Sequence, residues 1–173
     1  MWNAANGGHV FTYSGHTAHV QSVAWSPDGT HIASCGDDQT VQIWDANSGK
    51  MLLTDHSHTA RVWAVAWSPD STRVASASDD KTVHILDVDT GNNILTYMGH
   101  TGNVESVAGA RDGQRIASSS ADQTVQVWDT SPGGNVYAYR KHADVVWSAA
   151  WSPDGTRIAS GSRDAQVHVW QAI

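Results

Sequence analysis

The sequence predicts an all-β molecule built from four equivalent small sheets, and three observations predict it. First, His16, His58, His100 and His142 are spaced by 42 residues throughout. Asp38, Asp80, Asp122 and Asp164 keep that period of 42, and so do Ser34, Ser76, Ser118 and Ser160. Trp2, Trp44, Trp128 and Trp170 follow it too, with Leu86 in the remaining place. Several independent residue types in one register, with no insertion or deletion between them, are an internal repeat. Second, each unit is punctuated by turn chemistry. Third, the stretches between turns are short and rich in the β-branched and aromatic residues that pleated strands favour.

The elements of the first unit can be placed in order. Val20–Trp25 is an apolar-rich strand. Ser26-Pro27-Asp28-Gly29-Thr30 follows as a turn: Pro presets φ, Asp bonds nearby backbone, and Gly tolerates positive φ. Residues 32–35 make a second strand, 36–39 a turn, and 41–44 a third strand. Asn47-Ser48-Gly49 turns the chain again, and residues 51–54 are a fourth strand. The first turn recurs as Ser68-Pro69-Asp70-Ser71 and Ser152-Pro153-Asp154-Gly155, and departs to Ala110-Arg111-Asp112-Gly113 in the third unit. The chain divides into units of approximately 4–45, 46–87, 88–129 and 130–171, forming one domain over 1–173.

Composition bounds the function. Of 173 residues, 40% are hydrophobic and 16% charged, the balance of a globular chain rather than a disordered one. A formal charge of −7 disfavours nucleic acid, whose phosphates need clustered Lys and Arg. No apolar run approaches the ~20 residues that span a bilayer, so no membrane partner is expected. Met1-Trp2-Asn3-Ala4 shows no leader pattern. Cys35 is the only cysteine, which excludes an internal disulfide and suits a reducing, cytoplasmic setting.

With Gly15-His16 and Gly99-His100, and with Trp44-Asp45 and Trp128-Asp129, the chain resembles the WD-repeat family of β-propellers. The resemblance covers essentially the whole chain. Its departures are Ser57-His58, Lys141-His142, Leu86-Asp87 and Trp170-Gln171. The near-identical units also resemble recently amplified prokaryotic arrays. The fold implied is a propeller of four four-stranded blades per chain.

Each unit carries Ser, His and Asp, the residue types of an acyl-transfer triad. The resemblance implies a structural role: the third-strand Trp reaches the Ser, the Ser the His, and the His the turn Asp. The sets are His16, Ser34, Asp38 and Trp44; His58, Ser76, Asp80 and Leu86; His100, Ser118, Asp122 and Trp128; His142, Ser160, Asp164 and Trp170. A catalytic constellation is ordinarily single. Four copies point to a building part of every blade, whose buried polar groups need partners. No catalytic residue, cofactor or metal is therefore expected. The motif histidines sit in separate blades, and His56 with His58 lacks further ligands at zinc spacing. Leu86 cannot donate to Ser76, which predicts that the second blade is the weakest.

Four blades do not make an ordinary ring. Propellers close with 4–8 blades, and at the curvature of seven or eight, four span about half a turn. The open ends of such an arc would drive association. Trp2-Asn3 aligns with Trp44-Asp45, so residues 10–13 read as a fourth strand without a blade, while the last blade lacks its own fourth strand. Exchange of strands between two chains would give an eight-bladed, two-fold symmetric homodimer without a free edge at the seam. A segment of a longer array and a strained, closed four-bladed monomer are the alternatives.

By the resemblance, partners use the face at the channel entrance, through the third and fifth residues after the motif His and the residue before the turn Asp. Here these are His19, Arg61, Asn103 and Val145; Gln21, Trp63, Glu105 and Trp147; Asp37, Asp79, Ala121 and Arg163. They vary while the frame repeats. Trp63 and Trp147, flanked by Arg, have the composition of interface anchors. Trp25, Trp67 and Trp151 read as packing residues. The function expected is a non-catalytic protein- or peptide-binding scaffold, one part of a signalling or assembly protein. A self-associating structural module without another partner is the alternative, and a hydrolase the remote one.

Overall fold

The computed structural model describes residue 5 and residues 12–131 and 134–172. Strands β1 (Val20–Trp25), β2 (His31–Gly36), β3 (Val41–Asp45) and β4 (Met51–Asp55) pair antiparallel in that order. The second sheet has β5 (Val62–Trp67), β6 (Arg73–Ser78), β7 (Val83–Asp87) and β8 (Asn93–Tyr97). The third has β9 (Val104–Gly109), β10 (Arg115–Ser120), β11 (Val125–Asp129) and β12 (Val136–Tyr139). The fourth has β13 (Val146–Trp151), β14 (Arg157–Ser162) and β15 (Val167–Gln171). Among the described residues the last blade has three strands, without the fourth that the sequence reading also found missing there. The expected strand over residues 10–13 lies partly outside the described residues, as does Trp2, and Thr12 and Tyr13 are not in a strand. Among the described residues no helix is long and apolar enough to cross a membrane.

The strands start and stop where turn chemistry dictates. Asp28 accepts from Ser26 Oγ (2.5 Å) and from the Thr30 amide (2.9 Å), closing the β1–β2 turn around Gly29 at φ 72°. In the second blade Ser71 takes the same left-handed position at φ 62°, where a Cβ is strained.

The sheets stack face to face. β1, β5, β9 and β13 run side by side, each packed on the next, and β2, β6 and β10 close over the following blade's first strand. Ala33, Cys35, Val41 and Ile43 of the first blade meet Val62, Val65, Trp67 and Leu86 of the second. The next two seams repeat this, through Ala77 and Ile85 against Val104 and Val107, and through Ala117 and Val127 against Val146 and Ala149. Each valine so enclosed contributes roughly 1.5–3 kcal/mol.

Among the described residues, nothing covers the outer faces of the first and last blades in this way. Val20, Val23 and Trp25 are 53%, 64% and 54% exposed, against 0%, 7% and 9% for Val62, Val65 and Trp67 one repeat later. Val167 and Val169 are 73% and 62% exposed, where Val125 and Val127 are 0% and 4%. The molecule is therefore an open arc of four blades rather than a closed four-bladed ring.

Candidate functional site

The Ser-His-Asp sets come together in all four blades as a buried frame. His Nδ1 lies 2.9, 2.8, 2.9 and 2.8 Å from Asp38, Asp80, Asp122 and Asp164 in turn. A carboxylate only accepts, so Nδ1 carries the proton, and Nε2 takes the hydrogen of Ser34, Ser76, Ser118 or Ser160 at 2.7–2.9 Å. Trp128 Nε1 donates to Ser118 Oγ at 3.2 Å, and Trp170 Nε1 to Ser160 Oγ at 3.5 Å. Burial works to raise Asp122, yet hydrogen bonds from His100, Thr124 and Thr101 outweigh it and hold the carboxyl well below the ordinary range. The four serines are all buried, and each hydroxyl is engaged with its histidine.

The residues expected at the channel entrance lie together as well. In each blade the turn after the second strand is tied to the start of the first: Asp37 N–H donates to the His19 carbonyl, Asp79 to Arg61, Ala121 to Asn103, and Arg163 to Val145, at 2.8–2.9 Å. Beside each bond the first strand bulges, skipping one residue between Val20 and Ser22, Val62 and Ala64, Val104 and Ser106, and Val146 and Ser148. The skipped residues are Gln21, Trp63, Glu105 and Trp147. A bulge re-aims one side chain without breaking the ladder on either side.

Between the first two blades the side chains at these positions interlock. Asp37 accepts from Gln21 (2.7 Å) and His19 (3.2 Å) of its own blade and pairs with Arg61 Nε of the next (2.9 Å). The Arg61 guanidinium sits 4.8 Å over the Trp63 ring, whose N–H donates to Asp79 at 2.6 Å. Trp63 is thus half-buried and held, whereas Trp147 is exposed and free of such partners among the interactions described. Burial, and then the charge of Asp79, raise the Glu105 carboxyl. Asn103 and Val145 are half-buried and Arg163 is exposed. Of the tryptophans read as packing residues, Trp67 and Trp151 fit: each indole donates at 3.1 Å to a carbonyl of the preceding blade, Ala24 and Ala108 respectively. Trp25, at the open face, is exposed.

The seam between the first and second blades departs from the others at three places that meet in space. Tyr13, Tyr97 and Tyr139 stack on Trp44, Trp128 and Trp170 of the following blade, and their hydroxyls donate to Gln42, Gln126 and His168. At the first seam the corresponding residues are Asp55, Leu86 and His84. His84 stacks on His58 at 3.9 Å, is buried, and its Nδ1 has no hydrogen-bond partner. Burial, and then the neighbouring His58, push His84 down to about 4, which keeps the ring neutral near pH 7. The sequence reading paired His58 with His56; the fold sets it beside His84 and Asp80 instead. Tabulating positions 42, 84, 126 and 168, rather than only the shared motif, is the signal that would have found His84.

A family model described as "WD domain, G-beta repeat" matches residues 7–45, 49–87, 91–129 and 133–171. The chain is also similar to Lissencephaly-1 homolog 1 of Paramecium tetraurelia, 42% identical over 43 residues, which is 25% of this chain and 11% of that protein. The match thus spans about one repeat and a small part of the relative.

Proposed function

Since this chain belongs to the WD domain, G-beta repeat family, we propose that it acts as a non-catalytic scaffold whose bulged first-strand residues receive a protein or peptide. Repeats of this family imply a protein-interaction scaffold. The bulges carry the finer reading. One backbone irregularity, built into all four inner strands, presents four side chains that the repeat does not dictate: Gln21, Trp63, Glu105 and Trp147. Exposed Trp147 is the anchor, with Arg163 nearby in the same blade. A peptide library selected on the wild-type chain and counter-selected on Trp147→Ala tests this. Enriched peptides that bind the variant at least tenfold more weakly support it. Peptides indifferent to Trp147, or none enriched, turn the reading to a self-associating module without another partner. Catalysis has little room, because the serine hydroxyls are sealed among their partners.

The open faces support a second part of the proposal, a homodimer closing one eight-bladed ring. Val20, Val23 and Trp25 form the face that every other seam buries, and Val167 and Val169 belong to the face that covers it. Extending the period across the joint sends the Trp25 indole N–H to the Ala150 carbonyl of a second copy, as Trp67 reaches Ala24. A solution mass of about 37 kDa, twice the 18.5 kDa chain, supports the ring, and 18.5 kDa overturns it. A cytoplasmic location completes the proposal, consistent with a single, buried thiol.

A further inference from the structure

We infer that the second blade binds a divalent metal ion of the zinc class through His58, Asp80 and His84. Their ligand atoms lie within 4.8 Å of one another, and among the described residues they form the one group of this kind. Two imidazoles and a carboxylate are a donor set suited to zinc, leaving one position for water or a further carboxylate. Asp80 and His84 also wall a cleft of about 370 Å³ with Thr59 and Thr82, which gives an ion both room and a path.

The other blades show what this one has given up. His168 of the fourth blade stacks on His142 at 4.1 Å, as His84 does on His58, but Tyr139 donates to its Nδ1 at 3.1 Å. Asp55 stands in that tyrosine's place and is too short to do the same, so the buried Nδ1 of His84 is left without a partner. A buried ring nitrogen in that condition is costly unless something binds there. Asp55 is itself buried, and with Asp80 it places two carboxylates beside the two stacked imidazoles, a donor set that suits a divalent ion.

The loss of the tryptophan acts in the same direction. In the third blade Trp128 donates to Ser118, occupying one acceptor site of that hydroxyl. Leu86 donates nothing to Ser76. The His58 proton can therefore shift from Nδ1 to Nε2, where Ser76 Oγ accepts it, and the Nδ1 lone pair turns to the ion. No proton leaves the protein in this exchange. Asp80 keeps its bonds from the Thr59 amide (3.1 Å) and Thr82 (2.6 Å), which fix it as a ligand from behind.

The experiment is titration of the untagged full chain with Zn2+ against a chromophoric chelator, with Co2+ absorption as a second readout. One ion per chain is expected, together with the visible bands of a low-symmetry cobalt site. His84→Gln, the residue found at Gln42 and Gln126, is expected to weaken binding at least tenfold, and His56→Gln to leave it unchanged. Leu86→Trp, which returns an indole donor to Ser76, is expected to weaken binding while the chain stays folded. Zinc held equally by wild type and His84→Gln, or binding that follows His56, would overturn the inference. If His84→Gln does not fold, Asp55→Tyr gives the same decision, since it restores the partner of His84: retained tight binding overturns the site, and its loss supports it.

Discussion

Val65 and Val23 occupy the same place in successive repeats, in the same strand and beside the same bulge, yet one is sealed and the other lies open. Their local sequences, Val62–Trp67 and Val20–Trp25, differ little in apolar content. What separates them is the preceding blade. Ala33, Cys35 and Ile43 cover Val65, and no described residue does this for Val23. Burial here is conferred by the neighbour, so the open faces are as well prepared for packing as the closed seams.

The sharpest way to break the comparison is to put a charge at both positions. Val65→Asp strands a carboxylate inside a seam and should cost about 4 kcal/mol, enough to unfold much of the chain in a urea titration. Val23→Asp should leave the monomer's stability within about 0.5 kcal/mol of wild type and abolish the 37 kDa species. Equal costs at the two positions would show that the first blade is covered in solution by something other than a second copy.

The frame inside the closed seams gives the next effect. Ser118→Ala removes the partner of both His100 and Trp128 and should destabilise by about 1–3 kcal/mol in a thermal melt. Leu86→Trp should do the reverse, stabilising the second blade by about 0.5–1.5 kcal/mol if an indole donor to Ser76 is what that blade lacks. An unchanged melt for Leu86→Trp would mean that the second blade is completed in another way.

Acid should weaken every blade's turns together, and more gently. Asp164 is held at about 2, where burial opposes but the Ala143 amide, His142 and the Gln166 amide prevail. Asp154 is held at about 2 by Ser152 and Thr156. A carboxyl lowered on folding contributes stability that is complete above its unfolded value and disappears as pH falls through its folded value. Melting temperature should therefore fall in two stages, first below 6.5, where the unfolded chain takes up a proton at His84 that the folded chain refuses until about 4, and then from 3.8 toward 2, where these carboxyls protonate. Asp164→Asn should flatten the second stage, as read by melts at stepped pH.

Much of this architecture was legible in the sequence because it is local. The span Val20–Trp25 read from the sequence is β1 as found, and the turn at Ser26-Pro27-Asp28 closes through bonds that those side chains make among themselves. The His-Ser-Asp frame was legible because four copies announce it. Open end faces followed from the count of four blades, but which side chains they expose depends on what lies across each seam, which no stretch of sequence states. The bulges were invisible for a related reason: Gln21, Trp63, Glu105 and Trp147 are not of one residue type, and only the strand register shows that each is skipped. His84 was missed because it lies 26 residues from His58 and is joined to it only by strand pairing and ring stacking.

Cys35 offers a use that follows from its position. It lies wholly within the first seam, among Val41, Val62 and Val65, and burial pushes its thiol up to about 12. A reagent that needs thiolate cannot reach it while the seam is shut, so alkylation proceeds only through moments of separation between the first two blades. With no other cysteine to confuse the signal, the labelling rate relative to a free thiol measures how often that joint parts. The chain thereby carries a built-in clock for the breathing of one seam, readable without any added probe in the protein.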